Sequence, residues 1–408
     1  MTVGINKRAS YAGVVLLMAT AAALGGCASG GASSGGSGGS GSSAAGSIKI
    51  LVTGPFTGTT YSTPEIPLAA QAAASTINAS GGVNGHKISI VLCNDQDNPN
   101  VSTQCAREAV SDDVVAVAGL YLFGTQLYSV LTPANIPVIS STPIAPIEAT
   151  AKNSFPISGG TTAEEYAETA KIVEAGAKNV AIIHGNSQSN LLGVPALEQG
   201  IEKAGGKVVA NVTAQLGAPS YAPYVAAALS SGKVQGIAYV GVPGDFGTLM
   251  LAVQQSRFKG PIASLLSGTT PQVLKSLGST ASQLYLSSLY YVPPAQQASS
   301  FVSSMDKYSS QAAQSAMQTP VAEGVWASIY AVAKGLESAT GYTAADLMTS
   351  LSSQKSLQPT SFAPTVDMTT DGPIPGSPRI FTADAIVCRV KPDGTVYPDG
   401  GFFNPFAQ

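Results

Sequence analysis

The chain alternates short apolar stretches with longer amphipathic ones over most of its length. Residues 48–52 form an apolar, β-branched run that is typical of a strand. Within 66–77 the apolar residues recur at i, i+3, i+4, i+7 and i+11, which is the spacing of one helix face. Gly81-Gly82 ends this helix, and residues 88–92 alternate as the next strand. The pattern predicts a strand–helix–strand unit at the start of a folded body.

The same alternation continues to residue 140 and then begins again. Further helices are predicted at 103–111, 124–132, 163–175, 194–204, 221–231, 246–257, 298–312 and 322–338. Further strands are predicted at 114–118, 136–140, 180–183, 207–213, 237–240, 261–266, 284–290 and 380–390. Pro392-Asp393-Gly394 predicts a hairpin that leads to a short return strand. Two successive series of this kind favour an α/β protein with two lobes, each with a parallel sheet covered by helices.

The first 47 residues differ from the rest of the chain. Lys7 and Arg8 precede an apolar run at 11–24, which is too short to span a bilayer of ~30 Å. This layout predicts a signal peptide at 1–26. The stretch Leu24 to Cys27 is similar to a bacterial lipoprotein signal, whose cleavage leaves Cys27 as a lipidated first residue. An ordinary secretory signal with a chance cysteine is the alternative.

Residues 28–47 contain only Ala, Ser and Gly, and such a segment cannot bury enough apolar surface to fold. With Cys27 they form a predicted lipidated tether, 27–47, which holds the folded body outside the cytoplasmic membrane. The expected location is the cell envelope, with the membrane contacted through the lipid on Cys27.

Charge and histidine content exclude several classes of function. The net charge is −3 and 11% of the residues are charged, against ~25% in average domains. Because no basic stripe with interleaved aromatic residues occurs, nucleic acid is not an expected partner. His86 and His184 are the only histidines, too few for a zinc site of their own. We expect no cofactor, no metal and no enzymatic activity.

Three cysteines remain in the predicted mature body. Export permits disulfides, and Cys93 and Cys105 are close enough in sequence to join a strand end to the next helix. Such a short closure contributes about 3 kcal/mol by loop-entropy reasoning. Cys388 lies in the apolar run 385–388 and is therefore predicted to be a buried free thiol.

Several segments resemble one family when taken in order. They are Gly54 to Gly58, Ile77 to Gly85, Asn94 to Pro99, 136–140, 176–181 and the helix 322–337. From about residue 48 to the C-terminus the chain resembles the solute-binding proteins of ABC importers. More narrowly, it resembles the leucine/isoleucine/valine-binding family with the type I periplasmic-binding fold.

This resemblance implies two Rossmann-like lobes joined by a three-crossover hinge, with a ligand cleft between them. Lobe 1 is expected at 48–160 plus 293–365, and lobe 2 at 161–292 plus 366–408. A monomer is expected to close over a small molecule and deliver it to an ABC permease. An exported ligand-sensing receptor lipoprotein, or a branched-chain amino acid binder with an altered site, is the alternative.

Candidate site residues lie just after strands, because ligands bind outside the carboxyl ends of parallel strands. The candidates for ligand binding are Tyr61, Tyr121, Phe123, Ser140, Thr142, His184, Asn190 and Asp245. The aromatic residues could instead pack on the surface of a lobe. Ser140 and Thr142 could instead cap the next segment. Phe246 is interpreted mainly as core packing.

The resemblance also implies an acidic residue in 265–270 that takes the ammonium of an α-amino acid, and this stretch has none. An ammonium without a partner in a closed cleft is costly. The ligand is therefore expected to be apolar, aromatic or weakly charged, unless Glu65 or Asp245 supplies the carboxylate.

Overall fold

The computed structural model describes residues 46–58, 62–120, 126–309 and 319–407. The predicted signal peptide, Cys27 and residues 28–45 of the tether lie outside these ranges. Within them, no helix has the length and hydropathy that a membrane crossing needs.

Strands and helices alternate along the chain as the sequence predicted. The first half contains β1 (Ile48–Gly54), α1 (Glu65–Ala79), β2 (Ile88–Asn94), α2 (Pro99–Ser111), β3 (Ala116–Leu120), α3 (Tyr128–Leu131), β4 (Val138–Ser140), α4 (Gly160–Glu174), β5 (Asn179–Gly185), α5 (Gln188–Lys203) and β6 (Lys207–Ala214). The second half contains α6 (Ala222–Leu229), β7 (Gly236–Val240), α7 (Pro243–Ser256), β8 (Ile262–Leu265), α8 (Pro271–Ser276), β9 (Leu284–Ser288), α9 (Ser299–Tyr308), α10 (Pro320–Glu337), α11 (Ala344–Ser352), β10 (Ile386–Val390) and β11 (Val396–Pro398).

The strands form two sheets, and each sheet belongs to one lobe. Lobe 1 has four parallel strands in the order β2-β1-β3-β4, and α9, α10 and α11 return to pack on this lobe. Lobe 2 has seven strands in the order β11-β10-β9-β8-β7-β5-β6, of which β5 to β9 are parallel. The predicted two-lobed α/β fold is confirmed.

Each sheet is covered by helices on both faces. In β1, Ile50 and Val52 pack against α1 and α10, whereas Leu51 packs with α2 and α3 on the opposite face. In β5, Ile183 joins the cluster under α6 and α7, and Ile182 joins the cluster under α4 and α5. Strands buried on both faces are apolar at most of their central positions, which is why they appear as nearly continuous apolar runs.

The C-terminal hairpin matches its prediction. β10 pairs antiparallel with both β9 and β11. Lys391 N donates to Thr395 O at 2.9 Å, and Gly394 takes a φ of 87°. Glycine suits this turn because residues with a Cβ rarely adopt a positive φ.

Some element boundaries differ from those predicted. α5 starts at Gln188 rather than 194, since the Ser187 hydroxyl accepts a hydrogen bond from Asn190 N and caps the helix. The short helices α8 and α11 were not predicted, and both begin after a threonine cap, Thr270 and Thr343. The last long strand begins at Ile386 instead of 380, because Arg379 and Phe381 in the preceding segment still contact Ser154 and Phe155 of lobe 1.

The cysteines take the arrangement inferred from their spacing. The structure joins Cys93 at the end of β2 to Cys105 in α2, with their Cα atoms 5.7 Å apart. Cys388 is a buried free thiol, as interpreted from its apolar neighbours, and burial raises its pKa to about 12.

The chain crosses between the lobes at positions that pack on the loop after β4. The Ser141 carbonyl accepts hydrogen bonds from the Ser158 hydroxyl at 2.7 Å and from the Tyr290 hydroxyl at 2.5 Å. Gly160 has a φ of 65°, and a Cβ there would lie 2.1 Å from Pro143 O. Two crossovers are therefore held on a single loop of lobe 1.

The third crossover lies between the lobe 1 segment that ends near Val366 and the start of β10. Arg379 anchors it by donating from Nε and Nη2 to Ser154 O at 2.9 and 2.7 Å. Its guanidinium also lies 4.6 Å from the ring centroids of Phe155 and Phe381. This cation–π contact orders the segment before it enters lobe 2.

Helices α4 and α5 approach closely because one glycine leaves room for a neighbouring backbone. A Cβ on Gly200 would lie 2.2 Å from Thr169 Oγ1 and 2.5 Å from Tyr166 O. We therefore expect Gly200→Ala to lower the free energy of unfolding by about 1–3 kcal/mol, the usual cost of overpacking. Urea denaturation followed by circular dichroism measures this change.

Gly244→Ala is the matched control, because it lies in the first turn of α7 and a Cβ there meets nothing within 4 Å. It should leave stability unchanged or raise it slightly. Equal stability of Gly200→Ala and the wild type would contradict the close packing of α4 on α5.

Candidate functional site

A cavity of about 840 Å³ lies between the two lobes. Lobe 1 contributes Ser62, Glu65, Asp306 and residues 319–321 to its wall. Lobe 2 contributes Pro243, residues within 266–274 and the hairpin turn 394–396, and the crossover 292–294 closes one side. Ser62, Pro243 and 266–274 follow β1, β7 and β8, so this part of the wall lies at the carboxyl ends of strands. The lining includes none of the described candidates for ligand binding, which are Ser140, Thr142, His184, Asn190 and Asp245.

The wall combines apolar side chains, hydroxyls and carboxylates. Its hydroxyls belong to Ser62, Ser267, Thr269, Thr270, Thr319 and Thr395, and its carboxylates to Glu65 and Asp306. Among the lining residues that the structure describes there is no lysine, arginine or histidine. An anionic group of a ligand would therefore meet carboxylates here instead of a cation.

Glu65 brings a carboxylate to the lobe 1 wall. It stands in the first turn of α1, and Thr319 Oγ1 donates to its Oε1 at 3.4 Å. Burial raises the pKa of Glu65, while its hydrogen bonds act in the opposite direction. The sequence analysis named Glu65 and Asp245 as possible substitutes for the acidic residue missing from 265–270. Of these two, Glu65 lines the cavity.

Asp245, the other of those acids, supports a neighbouring loop. Both its carboxylate oxygens accept from Gly217 N, at 3.1 and 3.0 Å, and Oδ2 also accepts from the Tyr221 hydroxyl at 2.8 Å. Burial first, and then Tyr239 and Asp245, raise the pKa of Tyr221. Asp245 is buried and is not among the residues that line the cavity. Its ligand-binding role stays a prediction.

The loop after β4 is organised by a glutamate that the sequence analysis missed. Ser140 Oγ donates to Glu148 Oε1 at 2.6 Å, and Glu148 Oε2 accepts from the backbone N–H groups of Ile144 and Ala145. Burial raises the pKa of Glu148, and these bonds partly offset the rise. Ser140 and Thr142 are both buried, and their contact with a ligand stays a prediction.

His184 and Asn190 lie at the carboxyl end of β5 and the start of α5. The two ring nitrogens of His184 lie 3.1 Å from Gly185 O and 3.2 Å from Thr213 Oγ1, so its polar contacts lie within lobe 2. Asn190 is 6% exposed, and its Nδ2 has no hydrogen-bond partner among the residues that the structure describes. Asn190 thus keeps a free donor, whereas His184 does not.

The predicted aromatic residues differ in what can be said of them. Tyr61, Tyr121 and Phe123 lie outside the described residues, so their place in the cleft stays a prediction. Phe246 is fully buried in lobe 2, with its ring centroid 6.1 Å from that of Tyr239, which agrees with core packing.

Four buried glutamates near the crossovers were also missed. Glu164, Glu165 and Glu168 lie on α4, and Glu323 lies in the first turn of α10. All four are at most 2% exposed, and burial raises each pKa, that of Glu165 to about 8. The sequence did carry a signal for the three on α4, because glutamates at i, i+1 and i+4 stand among alanines in a helix that was predicted to pack on a sheet. Burial therefore favours the neutral form of each of these carboxyl groups.

A two-lobed α/β body with a cavity between its lobes is the architecture of a solute-binding protein. The family model of the periplasmic binding proteins matches residues 47–385. The chain belongs to this family, and its members are binding proteins of the kind that serve ABC transporters. No curated protein matches the chain.

Solved structures share the fold at low sequence identity. A putative branched-chain amino acid ABC transporter protein from Rhodospirillum rubrum has a TM-score of 0.68 and 18% identity, over 86% of this chain and 99% of its own. The isoleucine complex of the branched-chain amino acid binding protein LivJ from Streptococcus pneumoniae has a TM-score of 0.68 and 18% identity, over 88% and 100%. A fatty acid ABC transporter substrate-binding protein from Thermomonospora curvata has a TM-score of 0.71 and 16% identity, over 88% and 92%.

The buried glutamates predict a stability that falls as pH rises. In the unfolded chain Glu165 ionises near 4.5, whereas in the folded protein it keeps its proton up to a pKa of about 8. Between these values the folded state binds more protons, so the free energy of unfolding decreases with pH, by at most about 1.4 kcal/mol per unit for one group. Glu165→Gln should make this decrease shallower in urea titrations at pH 5, 6, 7 and 8.

Glu202→Gln, at an exposed position of α5, should keep the wild-type pH dependence. A wild-type slope retained in Glu165→Gln would show that Glu165 is already ionised in the folded protein.

Proposed function

We propose that this chain is an extracytoplasmic solute-binding protein that closes its two lobes over a small molecule and delivers it to an ABC permease. The cavity of about 840 Å³ between the lobes is the observation that carries this proposal. Its wall combines residues of both lobes with a crossover segment, so rotation of the lobes about the crossovers changes the cavity. Hinged closure around a ligand is a common motion of such proteins.

The proposal includes a lipid anchor. Cleavage before Cys27 would leave a lipidated cysteine followed by the Ala/Ser/Gly tether, in a body that works as a monomer in the cell envelope. The anchor would hold the binding protein near its permease and raise the effective concentration of the loaded form. An oxidising location outside the cytoplasm also suits the Cys93–Cys105 disulfide.

The ligand of this proposal is apolar, aromatic or weakly charged rather than a standard zwitterion. Support comes from the carboxylates of Glu65 and Asp306 on the cavity wall. It also comes from the absence of lysine, arginine and histidine among the lining residues that the structure describes. A ligand carboxylate would lose its hydration in the cavity without gaining a cation. The isoleucine and fatty acid named for the structural relatives belong to those proteins, which are 16–18% identical to this chain.

Mass spectrometry of small molecules that co-purify with the full chain in detergent, followed by thermal-shift measurements, tests this proposal. A bound solute should raise stability by about 2.7 kcal/mol at a hundredfold excess over Kd. Ser267→Trp places a bulky side chain in the cavity wall and should abolish this shift. Ser279→Trp, at an exposed position away from the cavity, should keep it.

Two results would contradict the proposal in separable ways. Tight calorimetric binding of leucine or valine without preference for less charged ligands would overturn the ligand class alone. A stabilising solute whose effect survives in Ser267→Trp would overturn the assignment of the cavity.

A further inference from the structure

We propose that Glu65 recognises the protonated amine of an apolar ligand that carries no carboxylate. This inference rests on the proposed function and names the chemical class of its solute. It follows from the position of one carboxylate in the cavity, from the groups around it, and from what the opposite wall lacks.

Glu65 faces a cavity with little to compensate its charge. An acidic residue in the first turn of a helix often only complements the helix dipole. Here the side chain also lines the space between the lobes, and its side-chain partner is the Thr319 hydroxyl at 3.4 Å. That distance exceeds the usual 2.7–2.8 Å of a hydroxyl hydrogen bond, so the contact is weak. Besides this contact the carboxylate bonds its own backbone N–H, and neither partner carries a positive charge, so it remains able to bind a cation.

The groups across the cavity do not neutralise Glu65. Thr270 uses its hydroxyl oxygen to cap α8 by accepting from Val273 N, and Thr269 Oγ1 donates to Leu266 O. Asp306 adds a second carboxylate to the lobe 1 wall. Since the described lining contains no lysine, arginine or histidine, a ligand amine would bring the positive charge that Glu65 attracts.

The apolar residues of the lining determine which part of the ligand lies next to the amine. Leu266, Leu274, Val292 and Val321 contribute apolar surface from lobe 2, the crossover and lobe 1. An alkyl body would bury against them and gain about 25 cal/mol for each Å² of apolar surface removed from water. A carboxylate next to the amine would in contrast face Glu65 and Asp306. An amine on an apolar skeleton satisfies both parts of the wall.

Four probes that share the branched 3-methylbutyl group separate the contribution of the amine from those of the alkyl group and the carboxylate. They are 3-methylbutylamine, 3-methylbutan-1-ol, L-leucine and 4-methylpentanoate, each titrated calorimetrically into the full chain in detergent at pH 7. We expect the amine to bind at least tenfold more tightly than the alcohol or the acid, with leucine weaker than the amine. Binding of the amine should also strengthen as pH rises from 5 to 7, because burial raises the pKa of Glu65 and only its ionised form attracts the ammonium.

Glu65→Gln should weaken binding of the amine at least tenfold and leave that of the alcohol within twofold, and it should flatten the pH dependence. Glu337→Gln removes the same charge at an exposed position of α10 and should bind the amine as the wild type does. Circular dichroism and urea denaturation establish that both variants fold.

The outcomes distinguish this inference from the proposed function. An acid or alcohol that binds as tightly as the amine, or an amine affinity unchanged in Glu65→Gln, overturns the role of Glu65. If none of the four probes binds but a co-purified solute stabilises the protein, the role of Glu65 is overturned and the binding function stands. If no solute stabilises the protein, both are overturned.

Discussion

The carbonyl oxygen of Ser141 connects the parts of the structure on which ligand binding depends. It accepts one hydrogen bond from Ser158, at the first crossover, and one from Tyr290, at the second. Gly324 at the start of α10 packs against both Ser141 and Tyr290. A Cβ on Gly324 would lie 2.9 Å from Ser141 Cβ and 2.9 Å from the Tyr290 ring. The loop after β4 therefore cannot shift without the crossovers. The lobes are expected to rotate as bodies around this loop, which would keep its shape during closure.

Few charges determine the electrostatics of the cleft. Charged residues are 11% of the chain, and several of those near the crossovers are glutamates whose pKa is raised by burial. Because burial favours the neutral form of a carboxyl group, these residues add less negative charge than exposed glutamates would. Glu168, for example, accepts a hydrogen bond from Ser287 through Oε2, and its Oε1 has no partner among the described residues. The ionisable groups that line the cavity then dominate the field that a ligand meets.

Sequence patterns predicted the fold further than they predicted the site. The helical spacing in 66–77 and the turn at 392–394 are local signals, and both elements formed as predicted. The short helices α8 and α11 escaped because one or two turns carry too little periodicity to detect. Side-chain partners escaped for a different reason. The bonds that engage His184 and Asp245 come from Thr213 and from Gly217 and Tyr221, between 24 and 29 residues away, and such pairing follows only from the folded topology.

The hairpin turn at 394–396 has a consequence for the order of events in the cell. This turn forms part of the cavity wall, although the other lobe 2 residues on that wall lie more than a hundred positions earlier, within 243–274. A chain synthesised from its N-terminus completes this wall only after residue 396 has left the ribosome. The full cavity therefore forms late, when the C-terminal hairpin folds onto β9 at the edge of the lobe 2 sheet.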